Sequence, residues 1–298
     1  MIRSMYSGVS GMRSNQIKMD VIGNNIANVS TTAFKSNRVR FQDAFYQTRA
    51  FAQAPTANGR GGINPQQVGN GVTVAAIDTM FADGNLQPTG RDLDLGIEGE
   101  GFFVVSMDTA GQIKRYTRDG AFYKDFNGSL VNAEGYYILG VSNFDVNGVP
   151  NQTLPDAIQS DGSNLEILSI PDKINDGGVD YHLEAFYIDG TGLITAIYEN
   201  GEVYYPGRVA LAKFPNVGGL EKLGGNTYGT TRNSGAAEYG SPSEDGLGIL
   251  RQGNLEMSNV DLANEFTEMI ITSRAFQANS RIITTSDEML QELINLKR

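Results

Sequence analysis

The sequence predicts an α+β fold in which N- and C-terminal α-helices pair in a coiled-coil-like way and a central antiparallel all-β domain lies between them in the chain. Three observations carry this. Apolar residues recur at alternating steps of three and four at both ends of the 298-residue chain. The middle consists of short β-rich runs separated by Asn-Gly and Asp-Gly pairs. Glycine is abundant, at 36 residues, which favours many turns.

At the N-terminus the periodic positions are Ile2, Met5, Val9, Met12, Gln16, Met19, Gly23 and Ile26. This is a heptad pattern that Gln16 and Gly23 weaken. At the C-terminus they are Leu262, Phe266, Met269, Ser273, Phe276, Ser280, Ile283, Asp287, Leu290 and Ile294. The row Leu262, Met269, Phe276, Ile283 and Leu290 is wholly apolar and is expected to face Met5, Met12, Met19 and Ile26. Methionine suits a contact whose geometry must adapt. Ser258 or Asn259 is expected to cap the C-terminal helix. Asp261, Glu265 and Glu268 lie near its positive end, Lys297 and Arg298 at its negative end. A second apolar set, Ile270, Ile271, Ile282, Met289, Leu293 and Leu296, lies on the same helix. One partner helix cannot cover two faces, so this helix is expected to sit in a bundle or to pack against other subunits.

The runs "GFFVVS", "GYYILGV", "LITAIY", "EVYYPG" and "RVALAKF" read as strands, and "DFNGSLV", "DVNGVP", "YIDGTGLI" and "YENGEVYY" as hairpin turns. The expected organisation is a terminal helical unit of 1–33 plus 258–298, an extended connector over 34–74, a β core of 75–144 plus 203–257, and a β insertion or small outer subdomain at 145–202. The connector is assigned from its Gly, Pro, Gln and Asn content.

Net charge is -11, yet residues 1–49 carry +5 and the remainder -16. The basic groups of the start are spaced out with no interleaved aromatic patch, so they read as a solvated helix face and no nucleic-acid partner is expected. The chain has no cysteine, which excludes disulfides, thiolate nucleophiles and cysteine–zinc sites. No apolar run approaches the roughly 18 residues of a membrane span, so no membrane insertion is expected. The start also lacks the apolar stretch of a cleaved secretory signal. The one histidine, His182, sits in a strand-like run without a nucleophile elbow. The carboxylates Asp92, Asp94, Glu98 and Glu100 read as outward charges on a strand. "NFDVNGVPNQTLPD" has the wrong acidic spacing for a calcium loop. No catalytic residue, metal site or cofactor is expected. A carboxylate hydrolase and a surface-binding β protein remain as weaker readings.

Several stretches together resemble one family, the axial rod and hook proteins of the bacterial flagellum. "MYSGVSGM" with "NNIANVSTTAFK" resembles its N-terminal signature, which places Asn24, Asn25, Ala27, Asn28, Thr31, Thr32, Phe34 and Lys35 in the family motif. The family more usually has Asn at Ser30 and Gly at Ala33. "NLQPTGRDLDLGIEGEGFFVV", "YTRDGAFYKDFNGSLVNAEGYYILG", "RVALAKFPNVGGLEKLGGNTY" and the last 51 residues resemble the rest, leaving out roughly 145–200. "GRGGINPQQVGNGVTVAAIDTMF" and the ending are most like hook subunits, and the distal rod subunit shares the plan.

The resemblance implies a structural subunit, not an enzyme. It implies self-assembly into a helical homopolymer, the curved hook that couples rod to filament, or alternatively the distal rod. Ile2, Met5, Val9, Met12, Met19, Ile26, Leu262, Phe266, Met269, Phe276, Ile283, Leu290 and Ile294 would form the assembly seam. Implied partners are copies of itself, the neighbouring axial proteins (rod, hook cap, hook–filament junction) and the flagellar export apparatus. The implied location is the extracellular hook or basal body, reached without a cleaved signal. "FQDAF", from Phe41 to Phe45, resembles the family's export element.

Overall fold

The computed structural model describes residues 2–55, 61–145, 148–176 and 179–296, and of Ile2 and Asp176 the backbone alone. Lys297 and Arg298, and Val146 and Asn147 of one expected turn, lie outside the described residues. The chain divides into two compact units. The first comprises Met1–Val29, Ser36–Met80 and Val260–Arg298, the second Ser30–Lys35 and Phe81–Asn259.

The first unit holds helix α1 (Ile2–Ala27), strands β1 (Asn37–Asp43), β2 (Tyr46–Ala50), β3 (Gln66–Gly69) and β4 (Val72–Thr79), and helix α2 (Leu262–Asn295). β1 and β4 pair antiparallel from Asn37 opposite Thr79 to Asp43 opposite Val72, with a bulge between Arg40 and Phe41. β2 pairs with β3. The stretch 34–74, read as a connector from its composition, thus carries three strands and the start of a fourth. Their apolar residues are few and interrupted by Arg and Gln, which hid the period of two. Asp261 caps α2, in place of Ser258 or Asn259. Its carboxylate accepts from the backbone N–H groups of Ala263 and Asn264, the geometry that satisfies the free donors of a first turn.

The second unit is antiparallel β. One sheet contains β7 (Phe102–Ser106), β8 (Lys114–Thr117), β9 (Tyr123–Lys124), β10 (Leu130–Val131), β11 (Tyr137–Ser142), β12 (Glu166–Ile167), β13 (Lys173–Asp176), β14 (Val179–Ile188), β15 (Leu193–Tyr198), β16 (Val203–Val209), β17 (Leu211–Lys213), β18 (Glu221–Gly224), β19 (Thr227–Gly229) and β20 (Glu238–Gly240). Its main path runs β13-β14-β15-β16-β11-β7-β8-β19-β18. Two small pairs join β6 (Leu95–Glu98) to β21 (Ile249–Gln252) and β5 (Leu86–Pro88) to β22 (Asn254–Glu256). The turns at Asn127-Gly128, Asp189-Gly190 and Asn200-Gly201 close the hairpins β9–β10, β14–β15 and β15–β16. Residues 145–202 supply β12 to β15 to this same sheet.

β7 shows why "FFVV" lacks alternation. Phe103 and Val105 enter one core with Leu95, Ile97, Ile138 and Leu211. Phe102 and Val104 enter another with Tyr116, Leu139, Phe214 and Tyr228. Both faces are covered, so successive side chains are all apolar.

Next to β7, strands β11 and β16 approach closely because glycine faces backbone on both sides. A Cβ on Gly140 would lie 2.1 Å from the Arg208 carbonyl oxygen, and one on Gly207 2.5 Å from that of Val141. Backbone cannot yield as a side-chain tip can. Gly140→Ala is therefore expected to destabilise the chain by about 1–3 kcal/mol or more. Thermal unfolding reads this directly, and an unchanged melting temperature would refute the close approach.

Candidate assembly surface of the terminal helices

α1 and α2 pair antiparallel through small and polar residues. Ser4 Oγ lies 3.4 Å from Ser286 Oγ. Gly11 faces Asn279: a Cβ there would stand 2.7 Å from Asn279 Nδ2. One turn earlier, a Cβ on Gly8 would lie 3.3 Å from Ile283 Cγ1 and 3.4 Å from the Asn279 carbonyl oxygen. Asn25 Nδ2 donates to Glu265 Oε1 at 2.9 Å. Each advance of seven or fourteen along α1 is matched by the same retreat along α2. This register sets Thr272 level with Lys18, and Lys18 Nζ reaches Glu268 one turn away at 2.5 Å. The row Ser4, Gly11, Lys18, Asn25 thus meets the row Ser286, Asn279, Thr272, Glu265 at heptad spacing. The two glycines let the axes approach closely. Among the described residues of α2, only Thr272 and Ser286 are buried. Thr272 Oγ1 has no hydrogen-bond partner, so this layer carries a desolvated hydroxyl.

Asn25, 1% exposed, is saturated by its surroundings. Its Nδ2 also donates to the Asn37 carbonyl at 2.9 Å, and its Oδ1 accepts from the Asn37 N–H at 3.0 Å. The side chain thus imitates a strand partner for the first residue of β1. Asn28 ends α1: its Nδ2 donates to the Asn24 carbonyl and to Asn24 Oδ1, both at 2.9 Å.

The rest of the motif belongs to the second unit. Ala33 is buried with φ +55°, a left-handed conformation that glycine adopts freely, and its N–H donates to the Glu256 carbonyl. Asn226 Nδ2 bridges the Thr32 carbonyl at 3.1 Å and Asp119 Oδ2 at 3.4 Å. Lys222 Nζ sits 5.0 Å from the Phe34 ring centre and donates to the Lys35 carbonyl. Lys35 is fully buried. Its Nζ donates to Glu256 Oε1 at 2.6 Å and to the Ala82 carbonyl at 2.8 Å. Gly84 N–H also reaches Glu256 Oε1, and Arg118 reaches Oε2 at 3.3 Å. Burial lowers the Lys35 pKa below the ordinary lysine value, and Glu256 works against that shift.

The apolar residues expected on the helix seam flank this polar line. Met5, Val9, Met12, Met19, Ile26, Met269, Phe276, Ile283 and Leu290 are half-buried. Leu262, Phe266 and Ile294 are exposed, and Ile283 of the apolar row faces Gly8. The side chain of Ile2 lies outside the described residues. Of the remaining motif residues, Asn24 and Ala27 are exposed and Thr31 is half-buried. Phe41 and Phe45 are exposed, Phe45 at 91%. His182 is exposed on β14. Asp94, expected outward, is buried and accepts from Thr89 Oγ1 at 2.6 Å. Glu98 pairs with Arg251 and Glu100 with Lys213, so these acids do not converge. Among the described residues no cluster of metal-ligating side chains occurs, and no helix is long and apolar enough to cross a membrane.

Residues 5–35 match the family described as flagella basal body rod protein. Residues 96–205 match the flagellar hook protein FlgE/F/G D1 domain, and 251–296 the flagellar basal body rod FlgEFG protein C-terminal family. The flagellar basal-body rod protein FlgG of Bacillus subtilis is 44% identical over 299 residues, with all of both chains covered. The FlgG rod protein of Borreliella burgdorferi is 34% identical over 299 residues, again over all of both chains. The flagellar hook protein FlgE of the same organism is 32% identical over 445 aligned positions, with both chains fully covered. The chain belongs to the flagellar rod and hook protein family, whose members are structural parts of the flagellum. None of these relatives is named for a reaction.

Asp119, beside the motif, gives the site a pH dependence. Burial raises its pKa above the ordinary carboxylate value, and the hydrogen bonds from Ala121, Thr32 and Asn226 only partly oppose this. A group with a raised folded pKa stabilises fully below its unfolded pKa and loses that contribution as pH rises through the folded value. Asp119→Asn removes the titration. The melting temperature of the variant relative to the native chain should therefore climb as pH rises from about 4, the unfolded aspartate pKa, towards neutrality. A difference independent of pH would contradict the assignment.

Proposed function

We propose that this chain is a structural subunit that assembles with copies of itself into the tubular axis of the bacterial flagellum. The observation that carries this reading is the pair of exposed apolar flanks on α2. Ile271, Ile282, Met289, Leu293 and Leu296 form one flank, the last at 81% exposure; Leu262, Phe266 and Ile270 form the other. The small and polar seam leaves both uncovered, and together they exceed the scattered apolar residues of an ordinary surface. Helices of neighbouring copies cover them in coiled-coil-like fashion, joined by the predicted seam residues Met5, Met12, Met19, Met269, Phe276, Ile283 and Leu290. Unlike patches meeting on successive copies do not close, so the contact propagates as a helical polymer. At its ends the polymer meets neighbouring axial proteins.

Within the axis we assign the chain to the hook, the flexible coupling between rod and filament. The segment from Gly59 to Phe81 and the C-terminal ending support this, as does the full-length match to a hook protein. The distal rod is the second reading, favoured by the equal length and 44% identity of a rod relative. Electron microscopy of basal bodies from a strain lacking the gene separates them. Complete rods without hooks are the expected result, and rods that stop short would move the chain to the rod. Normal hooks and filaments would overturn both readings.

The chain leaves the cell through the flagellar export apparatus, and exposed Phe41 and Phe45 form the export element. Phe41→Ala is expected to lower the amount of subunit in the medium while its cellular level holds. Undiminished export would leave Phe41 as an ordinary strand residue.

A further inference from the structure

We infer that the polar layers between α1 and α2 set the register of the helix pair, with Asn279 in the notch formed by Gly8 and Gly11 as the key. An apolar row cannot do this. Leu262, Met269, Phe276, Ile283 and Leu290 repeat every seven residues, so a slip of one heptad replaces each by another apolar side chain at little cost. Polar side chains at central positions do discriminate, because each needs its own partner.

The notch makes the discrimination steric as well. α1 has three glycines, at 8, 11 and 23, and Gly23 is exposed with open space around it. Asn279 lies against the other two, with its Nδ2 2.7 Å from where a Gly11 Cβ would stand. A slip of one heptad in one direction moves Asn279 onto Ser4, where a side chain occupies the space. It also sets Glu265 level with Lys18 and takes it from Asn25, its partner at 2.9 Å. A slip the other way sets Ser4 against Leu293 and carries Lys18 away from Glu268. Register decides where the apolar flanks of α2 stand relative to α1. The consequence for assembly rests on the function proposed above; the register itself does not.

The absence of cysteine makes the test direct. Ser4→Cys with Ser286→Cys reports the observed register, since the two hydroxyls are 3.4 Å apart. Ser4→Cys with Leu293→Cys reports the slipped one. Seven residues further along a helix is roughly 10 Å, beyond the reach of a disulfide. Oxidation of the full-length chain, scored as a faster-migrating monomer, should close the first pair and not the second. Adding Asn279→Ala and Glu265→Ala should reduce the preference by about tenfold, which corresponds to about 1.4 kcal/mol, with helix content unchanged by circular dichroism. An undiminished preference would overturn the inference, as would failure of the first pair to close in the otherwise native chain. Should the double variant lose helix content, Asn279→Ser, which empties the notch and keeps a polar group, is read the same way. Because the cross-link is intramolecular, its outcome is independent of whether the strain lacking the gene loses its hooks.

Discussion

The buried pair of Lys35 and Glu256 is the constraint on which the arrangement of the chain depends. The polypeptide passes between the two units at 29/30, 35/36, 80/81 and 259/260. Lys35, Ala82 and Glu256 stand close in sequence to three of these passages, and one ammonium group binds all three segments together. Asn259 adds to the knot: its N–H donates to the Phe34 carbonyl and its Nδ2 to the Ala82 carbonyl. Such a pair is not net glue. Removing two charges from water costs several kcal/mol per ion, and the mutual attraction offsets this only when the remaining hydrogen-bonding capacity is met. Here Glu256 also accepts from Gly84 N–H and Arg118, and Lys35 donates to the Ala82 carbonyl, while Arg118 Nε has no partner. The consequence is selectivity: an arrangement that separates Lys35 from Glu256 and keeps both buried leaves the ammonium without its carboxylate.

The two units draw on different physics. The β unit is held by apolar cores on both faces of β7, extended by a third cluster of Ile174, Ala196, Tyr198 and Tyr204. Burial of this kind is non-directional and supplies the bulk of stability. The helix pair instead has a seam of serine, glycine, asparagine, threonine and one ion pair, and holds its larger apolar side chains at the flanks. Partly exposed ion pairs such as Lys18–Glu268 contribute at most about 1 kcal/mol. The seam therefore orients the helices more than it stabilises them.

Much of the β unit was legible because its signals are local. Asn-Gly and Asp-Gly pairs mark hairpins within a few residues, and the unbroken run Phe102–Val105 announces a strand covered on both faces. The helices were legible by period. Their polar contacts were not, because hydrophobic periodicity marks apolar rows. The contacting rows share the same spacing but are polar, at 4, 11, 18 and 25 and at 265, 272, 279 and 286. Only the constant offset between the two polar heptads could have exposed them. The burial of Lys35 was illegible for a simpler reason: its partner lies 221 positions away in sequence. Ala33 is an intermediate case. The resemblance singled it out as a position where glycine is usual, and φ +55° supplies the cause. The strain, about 1–2 kcal/mol, is offset by a buried methyl group at about 0.8 kcal/mol and by the lower unfolded-state entropy of alanine, so either residue is tolerable there.

Under the proposed assembly, a polar seam also resolves a conflict. Had the largest apolar side chains of α2 been spent on α1, the pair would be more stable and its neighbours would find little to bind. With small residues in the seam and hydrogen bonds at Ser4–Ser286, Lys18–Glu268 and Asn25–Glu265, α1 and α2 meet along their length and the apolar area stays available. The cost is a weak pair, and in the proposed polymer that weakness lies where copies relieve it. Asn25 shows the economy of the device. One side chain bonds to α2 through Glu265 and starts β1 through the backbone of Asn37. The helix, its partner and the strand that follows are therefore positioned by a single residue with no apolar surface to lose.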